Sequence, residues 1–411
     1  MARTTVPTEA ERGRGPVTAR VSLGRSFTPL PLEFLLIASA ALLLTLFGIL
    51  MVISATTVTS MQTANNPYND GGKHAIFAAV GIPLMLVVSR FPMRWLKRMA
   101  GVALIGAVLL QLLVFTPLGM EVGGNRNWLN FGVLSVQPSE FIKLTLAIWC
   151  AFILDRKKAL LGRWKHVLVP LGPVAVVAMG TVMAGKDLGT VMVIALVVLG
   201  ALFFSGVKLR YFVPPVLAAV LAIAAFAILS PNRMTRILSV FDTSCLDRYL
   251  NECYQPLHGI WGLASGGLLG LGLGNSKEKY DWLPAAADDY IFAIVGEELG
   301  LIGCLAVLAL FLVLAFGAFR VVARAEDLFV RVVAGALGVW IVGQALINVG
   351  VVLRVFPALG VPLPFLSSGG SSLIAVLLAC GVLLACARTL PAPADPRHVP
   401  KTQAKGRRTP A

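Results

Sequence analysis

Residues 283–300, LPAAADDYIFAIVGEELG, decide the fold of this chain. A polar loop ends in Asp288 and Asp289, and Tyr290 opens an apolar run that continues to Phe319, long enough to cross about 30 Å of hydrocarbon. Ionisable groups at the edge of a membrane span are costly, and by default they are read as functional. The two aspartates therefore mark both a boundary and a candidate site.

Further long apolar runs lie at Phe34 to Thr57, Met99 to Leu118, Val167 to Ala184, Leu188 to Phe204, Tyr211 to Leu229 and Val332 to Val352. Shorter ones fill His74 to Val88, Phe141 to Leu154 and Ser372 to Ala387, and length alone leaves these open as re-entrant segments. With 57% hydrophobic residues, 13% charged residues and a mean hydropathy of +0.83, the composition is that of an all-α polytopic membrane protein.

Lysine and arginine decide the count. Basic clusters lie in the N-terminal tail (Arg12, Arg14, Arg20, Arg25), at Arg90, Arg94, Lys97 and Arg98, and at Arg156, Lys157, Lys158, Arg163 and Lys165. Others lie at Lys208 and Arg210, at Arg320 and Arg324, and in the C-terminal tail (Arg397, Lys401, Lys405, Arg407, Arg408). These are alternate connections if every run crosses, which predicts about ten transmembrane helices with both termini cytoplasmic. The net charge of +15 then reflects topology and attraction to anionic lipid, and it requires no nucleic acid.

Basic tails over residues 1–30 and 389–411, expected to be disordered, thus flank a membrane domain over 31–388. One large extracytoplasmic loop, 230–288, is expected between helices 7 and 8. About thirty polar residues precede the first run, so no cleavable signal peptide is expected. Cys150, Cys304, Cys380 and Cys386 fall in apolar runs and read as inert core residues. Cys245 and Cys253 fall in the outward loop, where a disulfide is permitted and free thiols are the alternative. Long loops inside compact domains are usually functional. Gly270, Gly272 and Gly274 lack dinucleotide-binding spacing and read as allowing tight turns or close approach to a ligand.

Other polar residues also stand where hydrocarbon is expected. Gln137, Pro138, Ser139 and Glu140 open the fourth run, with the proline suited to a first helical turn and Lys143 on the face of Glu140. A structural ion pair and a role in binding an anionic substrate are both open for Glu140 and Lys143. Lys186 and Asp187 join two runs with almost no loop, and taken alone they read as a solvated turn. Glu297 and Glu298, about two turns into the helix begun at Asp289, are expected to bond to other helices.

Four segments carry a resemblance: GGNRNWLNFGVLSVQPSEFIKL (123–144), KDLGTVMVIALVVLGALFFSG (186–206), GGLLGLGLGNSKEKYDWLPAAADDYIFAIVGEELGLIG (266–303) and NVGVVLRVFPALGVPLPFLSSGGSSL (348–373). From the first run to the last the chain resembles the shape, elongation, division and sporulation family, which contains FtsW, RodA and SpoVE. GLGNS followed by Lys279 is more similar to the FtsW branch. The resemblance implies a peptidoglycan glycosyltransferase that polymerises lipid II into β-1,4 glycan strands at the outer face of the bacterial cytoplasmic membrane. It also implies action at the division septum, beside a class B penicillin-binding protein transpeptidase and other division proteins.

The same resemblance implies Asp289, which precedes the aromatic-Ile-Phe-Ala run, as the essential aspartate. Gln137, Glu140, Lys143 and Asp187 match further motif positions, and Ser276 and Ser367, within the matching segments, join them as candidates for substrate binding. Departures are also present. Ala287 and Asp288 stand where the family often has His-Thr, and Asn127 replaces an arginine, leaving Arg126 one place earlier. Ser368 replaces a common tyrosine, and Arg354 a common glycine.

Lipid II has an α-linked pyrophosphate and the product bond is β, so one in-line displacement with a single base suffices. Pyrophosphate leaves as a stable anion and needs positive charge, not a second acid. Asp289 suits the base, with partial desolvation and Asp288 both able to raise its pKa. Lys143, Lys279, Arg126 and Arg236 are candidates to hold the pyrophosphate; the sequence has no dedicated metal cage, so no tightly bound cofactor is expected, and a divalent cation, Mg or Mn, travelling with the lipid pyrophosphate is left open. An elongation-type RodA polymerase is one alternative. A lipid II flippase would share the helix count, but the halves show no repeat and the ionisable residues gather away from the midplane. A scaffold without catalysis would leave the outward Asp and Lys without a use.

Overall fold

The computed structural model describes residues 30–132, 135–229, 234–235 and 253–391. Its helices are α1 (Leu32–Ala64), α2 (Asn69–Val88), α3 (Met93–Leu112), α4 (Pro138–Arg156), α5 (Trp164–Ala184), α6 (Leu188–Phe204), α7 (Val213–Leu229), α8 (Tyr254–Gly266), α9 (Ile291–Arg324), α10 (Leu328–Val352) and α11 (Gly370–Arg388). Seven of these, α1, α2, α3, α5, α9, α10 and α11, are long and apolar enough to cross a membrane. The other three runs expected to cross are helical as well. α6 and α7 are apolar but have 17 residues each, and α4 includes Glu140, Lys143, Asp155 and Arg156.

Burial explains why one apolar run is so short. In α11, 89% of the most apolar stretch is buried, against 28% in α2, α3 and α5. It packs against α1, α2, α4 and α10, so it is the central helix of the bundle. Around it α10 packs on α4, α6 and α9, and α1 packs on α2 and α9. Ion pairs fasten one end: Glu33 accepts from Arg320 at 3.0 Å and Arg324 at 2.8 Å, and Lys97 bridges Asp155 and Asp327 at 2.8 and 3.0 Å.

At the opposite end, which carries Asp289, α9 is broken at Gly300, whose φ of 66° and ψ of −166° are not helical. The glycine-rich segment 267–272 fills the break. Leu271 and Gly272 donate to the carbonyls of Glu297 and Glu298 at 2.9 Å each, and Leu301 donates back to Gly267 at 3.0 Å. A Cβ on Gly270 would lie 2.2 Å from the Glu298 oxygen. Close approach is what these glycines allow, and the partner is the chain's own backbone.

Gly300→Ala is therefore expected to lower the unfolding temperature in detergent. A residue with a Cβ in this region of φ and ψ, almost confined to glycine, costs about 1–3 kcal/mol, and here the Cβ would also meet the Gly270 nitrogen at 2.4 Å. An unchanged melting curve would contradict this account of the break.

A small three-stranded antiparallel sheet, unforeseen in the sequence reading, precedes α4: β1 (Gly119–Val122), β2 (Asn125–Asn130) and β3 (Ser135–Val136), in that order. Gly123 and Gly124, with φ of 59° and 81°, make the tight turn between β1 and β2. The ribbon reaches the α5–α6 turn, because the Arg126 N–H donates to the Gly185 carbonyl at 3.0 Å. Asn127 is buried at the same place, and a Cβ on Gly185 would sit 2.2 Å from its side-chain oxygen.

Candidate active site

Asp288 and Asp289 close the long loop, immediately before α9. Their backbone is clamped from two elements. Ser367 Oγ donates to the Asp288 carbonyl at 2.5 Å, the Ser368 N–H donates to Ala287 O at 3.0 Å, and Asn348 Nδ2 donates to Asp289 O at 2.7 Å. Ser368 Oγ also donates to the Asp288 carboxylate. Asp288 retains open surface, yet the protein crowding its carboxyl pushes its pKa up, with the charge of Asp70 acting the same way and the Ser368 bond offsetting part of the rise.

The segment 361–372 links these carboxylates to a buried polar network. Ser367 Oγ accepts from the Leu363 N–H at 2.7 Å, and Asn348 donates to Val361 O at 2.8 Å. Ser371 Oγ accepts from the Gln137 N–H at 3.1 Å, and Ser372 Oγ donates to Glu140 at 3.3 Å. Glu140 and Lys143, 0% and 1% exposed, pair at 2.7 Å. Lys143 Nζ donates also to Gln344 Oε1 at 2.8 Å and lies 5.1 Å from the ring centre of Trp340. Gln344 in turn accepts from Trp340 and donates to Pro362 O, both at 2.8 Å. Each of these residues makes at least one hydrogen bond, as burial in a low dielectric demands, while Asn348 Oδ1 is buried without a hydrogen-bond partner among the described residues.

Asp187 does not sit on a solvated turn. It is buried, caps α6 by accepting from the Thr190 N–H at 2.9 Å and hydroxyl at 2.7 Å, and accepts from Gln137 Nε2 at 3.3 Å. The structure therefore brings Gln137, Glu140, Lys143, Asp187 and Ser367 into one network with the loop bearing Asp289. Arg126 stands on the ribbon beside it and donates to Thr116 O at 2.9 Å.

Ser276 and Lys279 belong to a different set of contacts. Ser276 Oγ donates to Glu297 at 2.5 Å, and the Lys277 N–H donates to the same carboxylate at 2.8 Å. Lys279 is buried, 3.3 Å from Glu298, and donates to Gly274 O at 2.5 Å. Ser54 on α1 completes the Glu298 site with bonds of 2.6 and 2.7 Å. Glu297 and Glu298 thus hold the loop 274–279 as well as a neighbouring helix, and the Lys279 ammonium is engaged in that framework. Arg236 and Cys245 lie outside the described residues, while Cys253 is disulfide-bonded. Among the described residues no group of three or more His, Cys, Asp or Glu is placed to hold a metal ion.

Sequence reasoning missed Gln344 and Asn348, although amides four apart in an apolar run share one helix face and mark a polar seam. Ser371 and Ser372 were equally legible as hydroxyls at a helix start. Arg354 has a φ of 58°, in the left-handed region that glycine occupies most easily.

Fold and site together define an integral membrane protein with its polar chemistry gathered at one end of a helical bundle. The FtsW/RodA/SpoVE family model, described as "Cell cycle protein", matches residues 34–391. The chain belongs to this family. It is 35% identical over 370 residues to the "Probable peptidoglycan glycosyltransferase FtsW" of Mycobacterium tuberculosis, covering 90% of this chain and 70% of that one. It is 33% identical over 357 residues to "Stage V sporulation protein E" of Bacillus subtilis, covering 87% and 97%. A solved chain described under "Structural coordination of polymerization and crosslinking by a peptidoglycan synthase complex" superposes with a TM-score of 0.65 at 25% identity, covering 84% and 96%. The rod shape determining protein RodA of Thermus thermophilus shares the fold, with a TM-score of 0.58 at 23% identity over 84% and 95% of the two chains.

Proposed function

We propose that this protein is a division-type peptidoglycan glycosyltransferase that polymerises lipid II into β-1,4 glycan strands, with Asp289 as the general base. The observation that carries the reading is the clamped segment 287–289, whose backbone is held by Ser367, Ser368 and Asn348 beside the buried network. A carboxylate carried on a clamped backbone at the mouth of a membrane bundle is placed to take a proton from a sugar hydroxyl. The 4-hydroxyl oxygen of the acceptor sugar attacks the donor's anomeric carbon as Asp289 removes its proton. The bond to pyrophosphate breaks with inversion, and pyrophosphate leaves on its lipid.

Arg126 supplies the local positive charge, and the neutral, buried Glu140–Lys143 pair orients the surrounding side chains. Lys143 acts through the network it anchors, while Arg126 has guanidinium donors beyond the one directed at Thr116. A divalent cation, Mg or Mn, if carried by the donor pyrophosphate itself, would neutralise charge on the leaving group; among the described residues no cluster of carboxylates or imidazoles is placed to hold one. The similarity to a chain of a polymerising and crosslinking complex supports a class B penicillin-binding transpeptidase as partner.

Two experiments test this reading. Product made from lipid II should be cut by a muramidase specific for β-1,4 bonds, with one lipid pyrophosphate released per disaccharide added; a resistant product would overturn the assigned linkage. The Asp289 end should face outward. Tyr280→Cys, at an exposed position of the loop, in a background lacking all six native cysteines, should be labelled by an impermeant maleimide in intact protoplasts. Labelling only after lysis would reverse the orientation.

A further inference from the structure

The proposed reaction makes no use of a cluster built on α8 and the loop that leads to Asp289. His258 places Nδ1 2.6 Å from a carboxylate oxygen of Glu278, and both residues are buried. Three aromatic rings converge on that imidazole. Tyr254 lies 4.3 Å away, Trp261 meets it edge-on at 4.9 Å, and Trp282 stacks at 6.1 Å with 17° between the planes. A carboxylate bonded to one ring nitrogen fixes the orientation of a histidine, and the fixed imidazole braces the indoles.

The indoles nevertheless keep open faces. Trp282 is 58% exposed and Trp261 39%. Their support touches the candidate site directly: a Cβ on Gly259, next to His258, would lie 2.7 Å from a ring carbon of Tyr290, the residue after Asp289. Gln255 fastens the same helix to the loop by donating to Pro284 O at 3.0 Å. Exposed, braced aromatic rings therefore stand beside the segment that holds Asp289.

We infer that Trp282 and Trp261, braced by the His258–Glu278 pair, form a saccharide platform that holds the amino-sugar strand next to Asp289, an inference that rests on the glycosyltransferase reading. A β-1,4-linked pyranose chain presents flat faces of axial C–H groups, slightly positive, which match the negative face of an indole. Rigid aromatic side chains give this contact at little cost in conformational entropy. Tryptophans also anchor proteins at the membrane interface, but an anchor needs no buried imidazole–carboxylate pair behind it. Leu268, Leu269 and Leu273, exposed and aliphatic, provide the membrane-seeking surface of this loop.

The test uses full-length protein in nanodiscs and, as probe, the soluble β-1,4-linked hexamer of N-acetylglucosamine, with binding measured by calorimetry. Trp282→Ala is expected to weaken binding about three- to tenfold, and Trp282→Phe to retain most of it. Strands polymerised by Trp282→Ala should be shorter than those of the unaltered protein. If the hexamer binds and Trp282→Ala weakens it while no variant makes glycan, the platform stands and the polymerase reading fails. If glycan is made but the unaltered protein and Trp282→Ala bind the hexamer equally, or neither binds it, the platform is wrong. Quenching by interface-brominated lipid that disappears in Trp282→Phe, with strand length unchanged in Trp282→Ala, would make Trp282 a membrane anchor and overturn the inference.

Discussion

Asp289→Asn is expected to abolish glycan polymerisation, with a rate loss of about a hundredfold to ten-thousandfold, the usual contribution of a positioned base. The amide keeps the size of the side chain but cannot accept the proton. Because the clamp on residues 287–289 is made to backbone atoms by Ser367, Ser368 and Asn348, folding and lipid II affinity should be little changed, so the loss should appear in kcat. Asp288→Asn should keep most of the activity. Crowding by the surrounding protein, then the charge of Asp70, hold the Asp288 carboxyl above the usual range. When it ionises it opposes ionisation of its neighbour, so removing it makes Asp289 easier to ionise and shifts the acidic limb of the pH–rate profile to lower pH. A shift to higher pH, or an inactive Asp288→Asn with an active Asp289→Asn, would exchange the two roles.

The second large effect concerns Glu140 and Lys143. Both are buried and paired at 2.7 Å, so removing one leaves the other as an uncompensated charge at a cost of about 3–5 kcal/mol. Lys143→Met strands Glu140, and it also withdraws a donor from Gln344 and a cation from Trp340. Glu140→Gln together with Lys143→Met should therefore be more stable in detergent than Lys143→Met alone. Thermal unfolding of the four proteins of the cycle measures the coupling. Strict additivity would mean that the pair is not a unit.

The helical membrane fold was legible because its main signal is local: apolar runs, each of which is helical in the structure. Gln137, Glu140, Lys143 and Asp187 were legible as polar residues beside or within apolar runs, but the contacts they make were not. Lys279 reads as a cation available to a pyrophosphate, and only the break at Gly300, filled by segment 267–272, shows that Glu298 holds it. Asp187 reads as solvated because nothing in the chain predicts that Gln137 and Thr190 will surround it. The ribbon before α4 did leave a trace, since adjacent glycines at 123 and 124 suit a two-residue hairpin turn; strands of two to six residues are too short to compete with apolar helices for notice.

The central claim is that this bundle makes glycosidic bonds and does more than move or scaffold a lipid. Purified protein in detergent, with no other enzyme than the proposed transpeptidase partner made inactive in crosslinking, should convert lipid II into a ladder of glycan strands on a gel, and Asp289→Asn should not. Lipid II left intact under conditions where the partner complex is assembled would contradict the account.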